Sequence, residues 1–244
     1  MSMLTFARRN FKELTRDPLT LFFGAAFPMV LMLLLSAIQA NIPVPMFQID
    51  SLAPGIAVFG QSFLTLFAAL LIARDRTTAL TQRLMASLMR GSDFILGYAL
   101  PLVPLALVQA AVCLLCGGIL GMKLSHLPLA LAVLLVSAVF YIALGLLFGS
   151  ILNDRQVGGI CGALLTNLSA WVSGIWFDVR LVGGAFEKIA RVLPFIHAVE
   201  AARAAAAGNL AALPGHLFIV AVYALALMAL AVVAFMRTMR GGKR

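Results

Sequence analysis

The chain has 244 residues, 63% of them hydrophobic and 11% charged, where an average soluble domain carries roughly 45–50% apolar and about 25% charged residues. So few charges cannot clothe a water-soluble body of this size, and the mean hydropathy of +1.05 agrees, which excludes a soluble enzyme, a nucleic-acid-binding domain and a disordered chain. The net charge of +9 then marks loops lying against an anionic lipid leaflet rather than a nucleic-acid surface.

Residues 1–18 read as an amphipathic interfacial helix, with Leu4, Phe6, Phe11 and Leu14 set against Arg8, Arg9, Lys12 and Arg16. Its apolar side is expected to face lipid and its basic side the headgroups. A signal peptide is the rival reading, but the apolar run that follows is too long and no small-residue cleavage site ends it. Asp17-Pro18 has the form of a helix start, with Asp at the N-cap and Pro at the first helical position. Six apolar runs follow: 19–40, 55–73, 94–121, 127–152, 157–177 and 217–236. Each is long enough for a core about 30 Å thick, which needs about 20 residues at 1.5 Å each. Pro28 should bend the first, and Pro101 and Pro104 should kink the third. Cys113, Cys116 and Cys161 sit inside these runs and read as small apolar fillers.

Orientation follows from the basic residues. Arg8, Arg9, Lys12, Arg16, Arg74, Arg76, Arg83, Arg90, Arg155, Arg237, Arg240, Lys243 and Arg244 fall on one side of the six runs. Lys123, Arg180, Lys188, Arg191 and Arg203 fall on the other. Both termini, including the basic tail 237–244, are therefore expected in the cytoplasm. On that side, 74–90 reads as an amphipathic helix, with Leu80, Leu84, Met85 and Leu88 on one face and Arg76, Arg83 and Arg90 flanking it. The external connection 178–213 has helical stretches with Glu187/Arg191 and Glu200/Arg203 spaced for ion pairs. Its apolar part, 192–199, is broken by Pro194 and His197 and is too short to cross, so a re-entrant segment is expected. Gly208 suits the end of the Ala-rich helix. The expected body is an all-α membrane protein: six transmembrane helices over 19–236, an N-terminal interfacial helix, a cytoplasmic helix, and a broken external segment between spans five and six.

Chemistry is absent where an enzyme would need it. The sequence has no G-x-x-x-x-G-K-[ST], H-E-x-x-H or G-x-S-x-G, so neither a nucleotide phosphate cradle nor a hydrolytic site is expected, and no metal site is assigned. Ionisable residues are confined to the ends of the runs and the loops, which argues against ion-coupled transport. The polar residues inside the runs are neutral. Gln61, Ser62 and Thr65 share a face of the second, and Gly162, Thr166, Ser169 and Ser173 share a face of the fifth, with Asn167 beside them. Two readings fit: small and hydroxylated residues that glue helices together, or the lining of a substrate path. Gly145-x-x-x-Gly149 and Gly117-x-x-x-Gly121 are close-packing signals.

In order and spacing, four features resemble the membrane subunit of an ATP-binding-cassette exporter of the second exporter type, the daunorubicin, polysaccharide and nodulation-factor exporter group. They are the basic helix ending Arg16-Asp17-Pro18, the external Leu52-Ala53-Pro54-Gly55-Ile56, the cytoplasmic Asp75-Arg76 with Arg83-Leu84-Met85-Ala86-Ser87, and the external 193–203, which opens Leu193-Pro194-Phe195. The family's cytoplasmic motif departs here at Thr77, Ala79 and Leu88, where it usually has Glu, Gly and Pro. The resemblance implies two copies paired about a two-fold axis in a bacterial inner membrane, each bound to a separate ATPase subunit. ATP and Mg²⁺ would be held by that partner and no cofactor by this chain. It also implies that 74–90 is the coupling helix, acting through Arg76, Leu80, Arg83, Leu84 and Leu88. With only Trp171, Trp176 and three Tyr, the chain lacks the stacking platforms a long glycan would use. Phe59, Phe63 and Phe67 beside a weakly polar path favour a hydrophobic drug or lipid-like substrate. A polysaccharide or glycolipid exporter, an ATPase-independent channel, and a membrane anchor without transport are the competing readings.

Overall fold

The computed structural model describes residues 3–76 and 91–241, and every regular element among them is a helix. The coupling-helix residues Leu80, Arg83, Leu84 and Leu88 lie outside the described residues. Five helices are long and apolar enough to cross a membrane: Pro18–Asn41, Ile49–Arg76, Gly91–Ile119, Leu127–Ile151 and Leu213–Met239.

Helix α1 (Met3–Arg16) buries Phe6, Asn10 and Leu14, spaced four apart, while Leu4 and Phe11 stay exposed. Its apolar face was expected on lipid. The structure divides that face, because Phe6 is seated edge-on against Tyr98, ring centroids 4.8 Å apart, on helix α4 (Gly91–Ala99). Asn10 donates to the Gly97 carbonyl at 3.1 Å and fixes the register. Helix α2 (Pro18–Asn41) starts as the sequence reads: the Asp17 carboxylate accepts from the Thr20 amide at 3.2 Å, with Pro18 in the first turn. The disturbance expected of Pro28 takes the form of a π turn at Phe22–Ala26. Proline lacks the N–H that would bond four residues back and its ring crowds that carbonyl, so the ladder widens ahead of it.

Helix α3 (Ile49–Arg76) is the axis of the molecule: 89% of its most apolar stretch is buried, against 22% for α2 and 17% for the last span. It begins earlier than the 55–73 run, so Leu52-Ala53-Pro54, read as lying ahead of that run, are helical and buried together with Gly55 and Ile56. Pro54 removes one ladder bond only, and the small residues around it admit neighbours: a Cβ on Gly117 would stand 2.6 Å from that of Ala53. After α4 the third run breaks at Leu100–Pro101 and resumes as α5 (Leu102–Ile119). Pro104 falls in the first turn of α5, where its missing N–H costs nothing.

Helix α6 (Leu127–Ile151) lies against α3 along the Gly145-x-x-x-Gly149 face. A Cβ on Gly149 would come within 2.6 Å of the Ala69 carbonyl oxygen, and one on Gly145 would strike the backbone of Thr65. Gly117-x-x-x-Gly121 is different: Gly121 packs against nothing and instead takes the left-handed conformation, φ +106°, that ends α5. The 157–177 run is not among the five long helices. It starts with a capping box, Asn153 and Gln156, as α7 (Asp154–Val157), widens into a π stretch at Gly158–Leu165, and ends as α8 (Thr166–Val172). Gly158, Gly159 and Gly162 weaken the α ladder there, and Gly174 at φ +72° turns the chain away before Phe177.

Two short helices, α9 (Val179–Val182) and α10 (Gly184–Val192), precede α11 (Pro194–Ala206) and α12 (Leu213–Gly241). The Glu187–Arg191 pair forms, at 2.9 Å. Within 192–199 only Pro194 breaks the helix, because His197 sits inside α11. That helix is core: Phe195 meets Phe140 of α6 at 5.5 Å between ring centroids. Gly208, at φ +72°, follows the Ala-rich helix as expected. The Glu200/Arg203 pair does not form as expected. Glu200 turns to His216 at 3.2 Å, and Arg203 donates to the carbonyls of Ser51 and Gly174 at 3.0 and 3.2 Å.

Candidate functional site

Three consecutive residues at the C-terminal end of α3 tie it to three different elements. Successive residues on a helix point about 100° apart, so Arg74, Asp75 and Arg76 reach separate neighbours. Arg74 stands 3.5 Å from Asp154 at the start of α7, with both side chains half exposed. Asp75 is buried, takes a bidentate pair of bonds from the Arg9 guanidinium of α1, and accepts a third from the Tyr98 hydroxyl at 3.1 Å. That carboxylate raises the proton affinity of Arg9 despite the opposing effect of burial. Arg76 donates to the Gly149 and Leu152 carbonyls at 2.9 and 3.2 Å, capping the open end of α6, as a cation at a helix C-terminus does. Of the expected coupling residues, Arg76 is thus an anchor turned toward α6. Arg9, Asp75 and Tyr98 were not read as site residues from sequence. The alternating Arg-Asp-Arg closing an apolar run was the available signal.

The neutral polar residues fall into two groups. Gln61 and Thr65 face α6, where the amide donates to the Leu134 carbonyl at 2.8 Å and the hydroxyl to the Tyr141 carbonyl at 3.0 Å. Ser62, Thr166, Ser169 and Ser173 are buried and bond back to carbonyls of their own helical turns, at Phe59, Cys161, Thr166 and Ala170. Gly162 is half-buried and Asn167 exposed, its amide donating to the Ala163 carbonyl at 2.8 Å. Gln109, missed at the sequence level, is the one amide of α5. It donates to the Ala57 carbonyl at 3.1 Å and fills the space opened by Gly60. Phe59 and Phe63, expected near a path, belong to a buried aromatic column: Phe63 stacks on Phe23 at 5.1 Å, and Phe59 meets Trp176 at 5.5 Å.

Away from the basic end, a cavity of about 270 Å³ is lined by Ser51, Ser173, Gly174, Arg180, Glu200 and Arg203 among others. One terminal nitrogen of Arg203, Nη2, is buried there without a hydrogen-bond acceptor. The cavity joins the start of α3 and the end of α8 to α9, α10 and α11, and Ser173 is the one expected path residue on its wall.

Residues 1–206 match the family model described as ABC-2 type transporter. No curated protein sequence matches the chain. The matched region takes in α1, the Arg74-Asp75-Arg76 junction and α11, and covers most of the sequence. The chain belongs to the ABC-2 type transporter family: it is a multi-pass transmembrane component of an ABC transporter, from a family whose membrane chains work with an ATP-binding subunit.

Proposed function

We propose that the chain is the permease half of a homodimeric ATP-driven exporter in a bacterial inner membrane, moving a hydrophobic or amphipathic substrate such as a drug or lipid-like molecule. The observation that carries this reading is the junction at residues 74–76. Segment 77–90 follows directly from three side chains that tie α3 to α1, α6 and α7. A push delivered to that segment by an ATPase reaches the most buried helix of the molecule and three neighbours at once. ATP and Mg²⁺ belong to that partner on this reading, since the sequence carries no G-x-x-x-x-G-K-[ST] motif.

On this reading 154–172 is the fifth of six spans, both termini are cytoplasmic, and Asn167 lies on the face that meets a second copy. An exposed amide is costly against hydrocarbon and is covered where helices associate. The path then runs between the paired α3 and 154–172 segments toward the cavity beside Ser173. The buried Phe59 and Phe63 column beside that path, with Trp171 the one exposed aromatic of 154–172, supports an amphiphile over a glycan.

The test is co-expression with a cassette ATPase encoded beside this chain, followed by purification in lipid nanodiscs. A stable complex of two permeases and two ATPases, with hydrolysis dependent on the permease, is expected. Transport by the chain alone in proteoliposomes, with no ATPase association, would replace this reading with a facilitator.

A further inference from the structure

A cluster of three ligand-type side chains, unconnected with the coupling junction, bridges α11 and α12. His197 and Glu200 lie three apart on α11 and so share a face. His216 enters from the first turns of α12. The His197 and His216 Nδ1 atoms are 2.8 Å apart, the Glu200 carboxylate is 3.2 Å from His216 Nδ1, and all the donor atoms lie within 4.8 Å of one another.

The hydrogen bonding fixes which atoms carry protons. His197 Nε2 lies 2.8 Å from the Arg191 carbonyl, which can only accept. Nε2 therefore holds the ring proton, and the neutral ring presents a bare lone pair at Nδ1. That lone pair, the Glu200 carboxylate and His216 Nδ1 converge on one point, where one His216 proton would have to be shared between two acceptors. A metal-binding histidine is oriented in this way, with its far N–H held by a backbone carbonyl. Two nitrogens on a tetrahedral zinc-like ion stand about 3.3 Å apart, from Zn–N bonds of about 2.0–2.1 Å, so small side-chain shifts suffice. His197 is buried, while His216 and Glu200 are each 29% exposed at the side chain. The site is walled on one side and open on the other.

We propose that His197, Glu200 and His216 bind a divalent transition-metal ion of the zinc class. Two imidazoles and one carboxylate suit zinc, cobalt or nickel and leave a fourth position for water. The ion clamps the α11–α12 hairpin at the end away from the coupling junction, replacing a shared proton with three metal–ligand bonds.

The probe is Co²⁺, titrated into the full chain purified without a polyhistidine tag and stripped of metal, with visible absorption as the readout. One Co²⁺ per chain is expected, with d–d bands of a four- or five-coordinate ion and displacement by Zn²⁺. His216→Ala and Glu200→Gln should weaken binding by about ten- to a hundredfold, and His126→Ala should leave it unchanged. His216→Cys keeps a ligand and should restore binding with a new thiolate-to-cobalt charge-transfer band, which separates ligation from misfolding. Absence of Co²⁺ binding by the wild-type chain overturns the proposal, as does binding that His216→Ala leaves unaltered. The cluster is then a hydrogen-bonded clamp only.

Discussion

The seam between α3 and α6 should depend on distance of approach far more than on polar bonds. Thr65 and Gly145 separate the two contributions. Thr65→Val keeps shape and removes one hydroxyl bond, 3.0 Å to the Tyr141 carbonyl, and that carbonyl stays in its helical ladder. Interhelical bonds of this kind in a membrane average about 0.6 kcal/mol, which corresponds to about 1–2 °C in melting temperature for a chain of this size. Gly145→Ala adds one methyl, and at an open helical position that change would stabilise by about 1 kcal/mol. Here the methyl meets the carbonyl oxygen and Cα of Thr65. Backbone cannot rotate aside, so the helices must separate, at about 1–3 kcal/mol or more. Thermal unfolding of the purified chain in detergent reads both variants. If Thr65→Val lowers the melting temperature more than Gly145→Ala, polar bonding rather than close packing holds the seam, and the argument fails.

Single cysteines at Thr77 and Ser125, in a background without Cys113, Cys116 and Cys161, should label from opposite sides with an impermeant thiol reagent; same-side labelling defeats the six-span arrangement. Leu84→Asp and Leu88→Asp should leave membrane insertion intact and reduce ATPase co-purification, whereas unchanged co-purification would assign 77–90 to the lipid surface. Asn167→Leu, an exposed substitution, should leave the unfolding free energy of the separated chain within about 0.5 kcal/mol of wild type, while changing dimer recovery in cross-linking; unchanged dimer recovery removes Asn167 from the pairing face. Asp75→Asn should cut permease-stimulated ATP hydrolysis, and Asp154→Asn should do so far less; equal effects would mean that the junction does not rank its bonds by burial.

Much of the fold was legible because it rests on local rules. The Asp17 cap, the Pro101 break, the Glu187–Arg191 pair and the Gly145/Gly149 contact all depend on residues within a few positions of one another or on size alone. What was missed depends on partners distant in sequence. Glu200 and Arg203 have the right spacing for each other, yet His216 and the carbonyls of Ser51 and Gly174 compete and win. Leu52 to Ile56 carries Pro and Gly and so resembles a loop, but close approach of Arg203 and Ala53's neighbours makes those small residues the requirement of a buried helix. In the same way Gln61 and Thr65 offer no local sign of which neighbour they face. Only the bonds to Leu134 and Tyr141 turn them toward α6.

The bonds at residues 74–76 differ in strength, and that difference says which parts move together. The Arg74–Asp154 pair is half exposed at 3.5 Å and is worth about 0–1 kcal/mol. The Asp75 carboxylate is 4% exposed and is held by Tyr98 and by Arg9, whose side chain is 36% exposed, so removing one partner costs less than in a fully buried pair, about 3–5 kcal/mol, but more than breaking the surface pair. Arg76 satisfies two otherwise open carbonyls at the end of α6, which the chain cannot leave bare in a dry environment. On the coupling we propose, a force entering through 77–90 would meet two firm polar joints and one loose one. On that reading α3 would carry α1, α4 and α6 with it, while α7 is held by the loose ion pair and by the apolar contact of Ala69 and Ala73 with Val157 and Cys161, where the helix opens into its glycine-rich π stretch. The directional bonds would keep the buried axis intact, and an apolar contact with only a half-exposed ion pair beside it would let 154–172 slide against α3, which is the relative motion that the proposed path between those two elements requires.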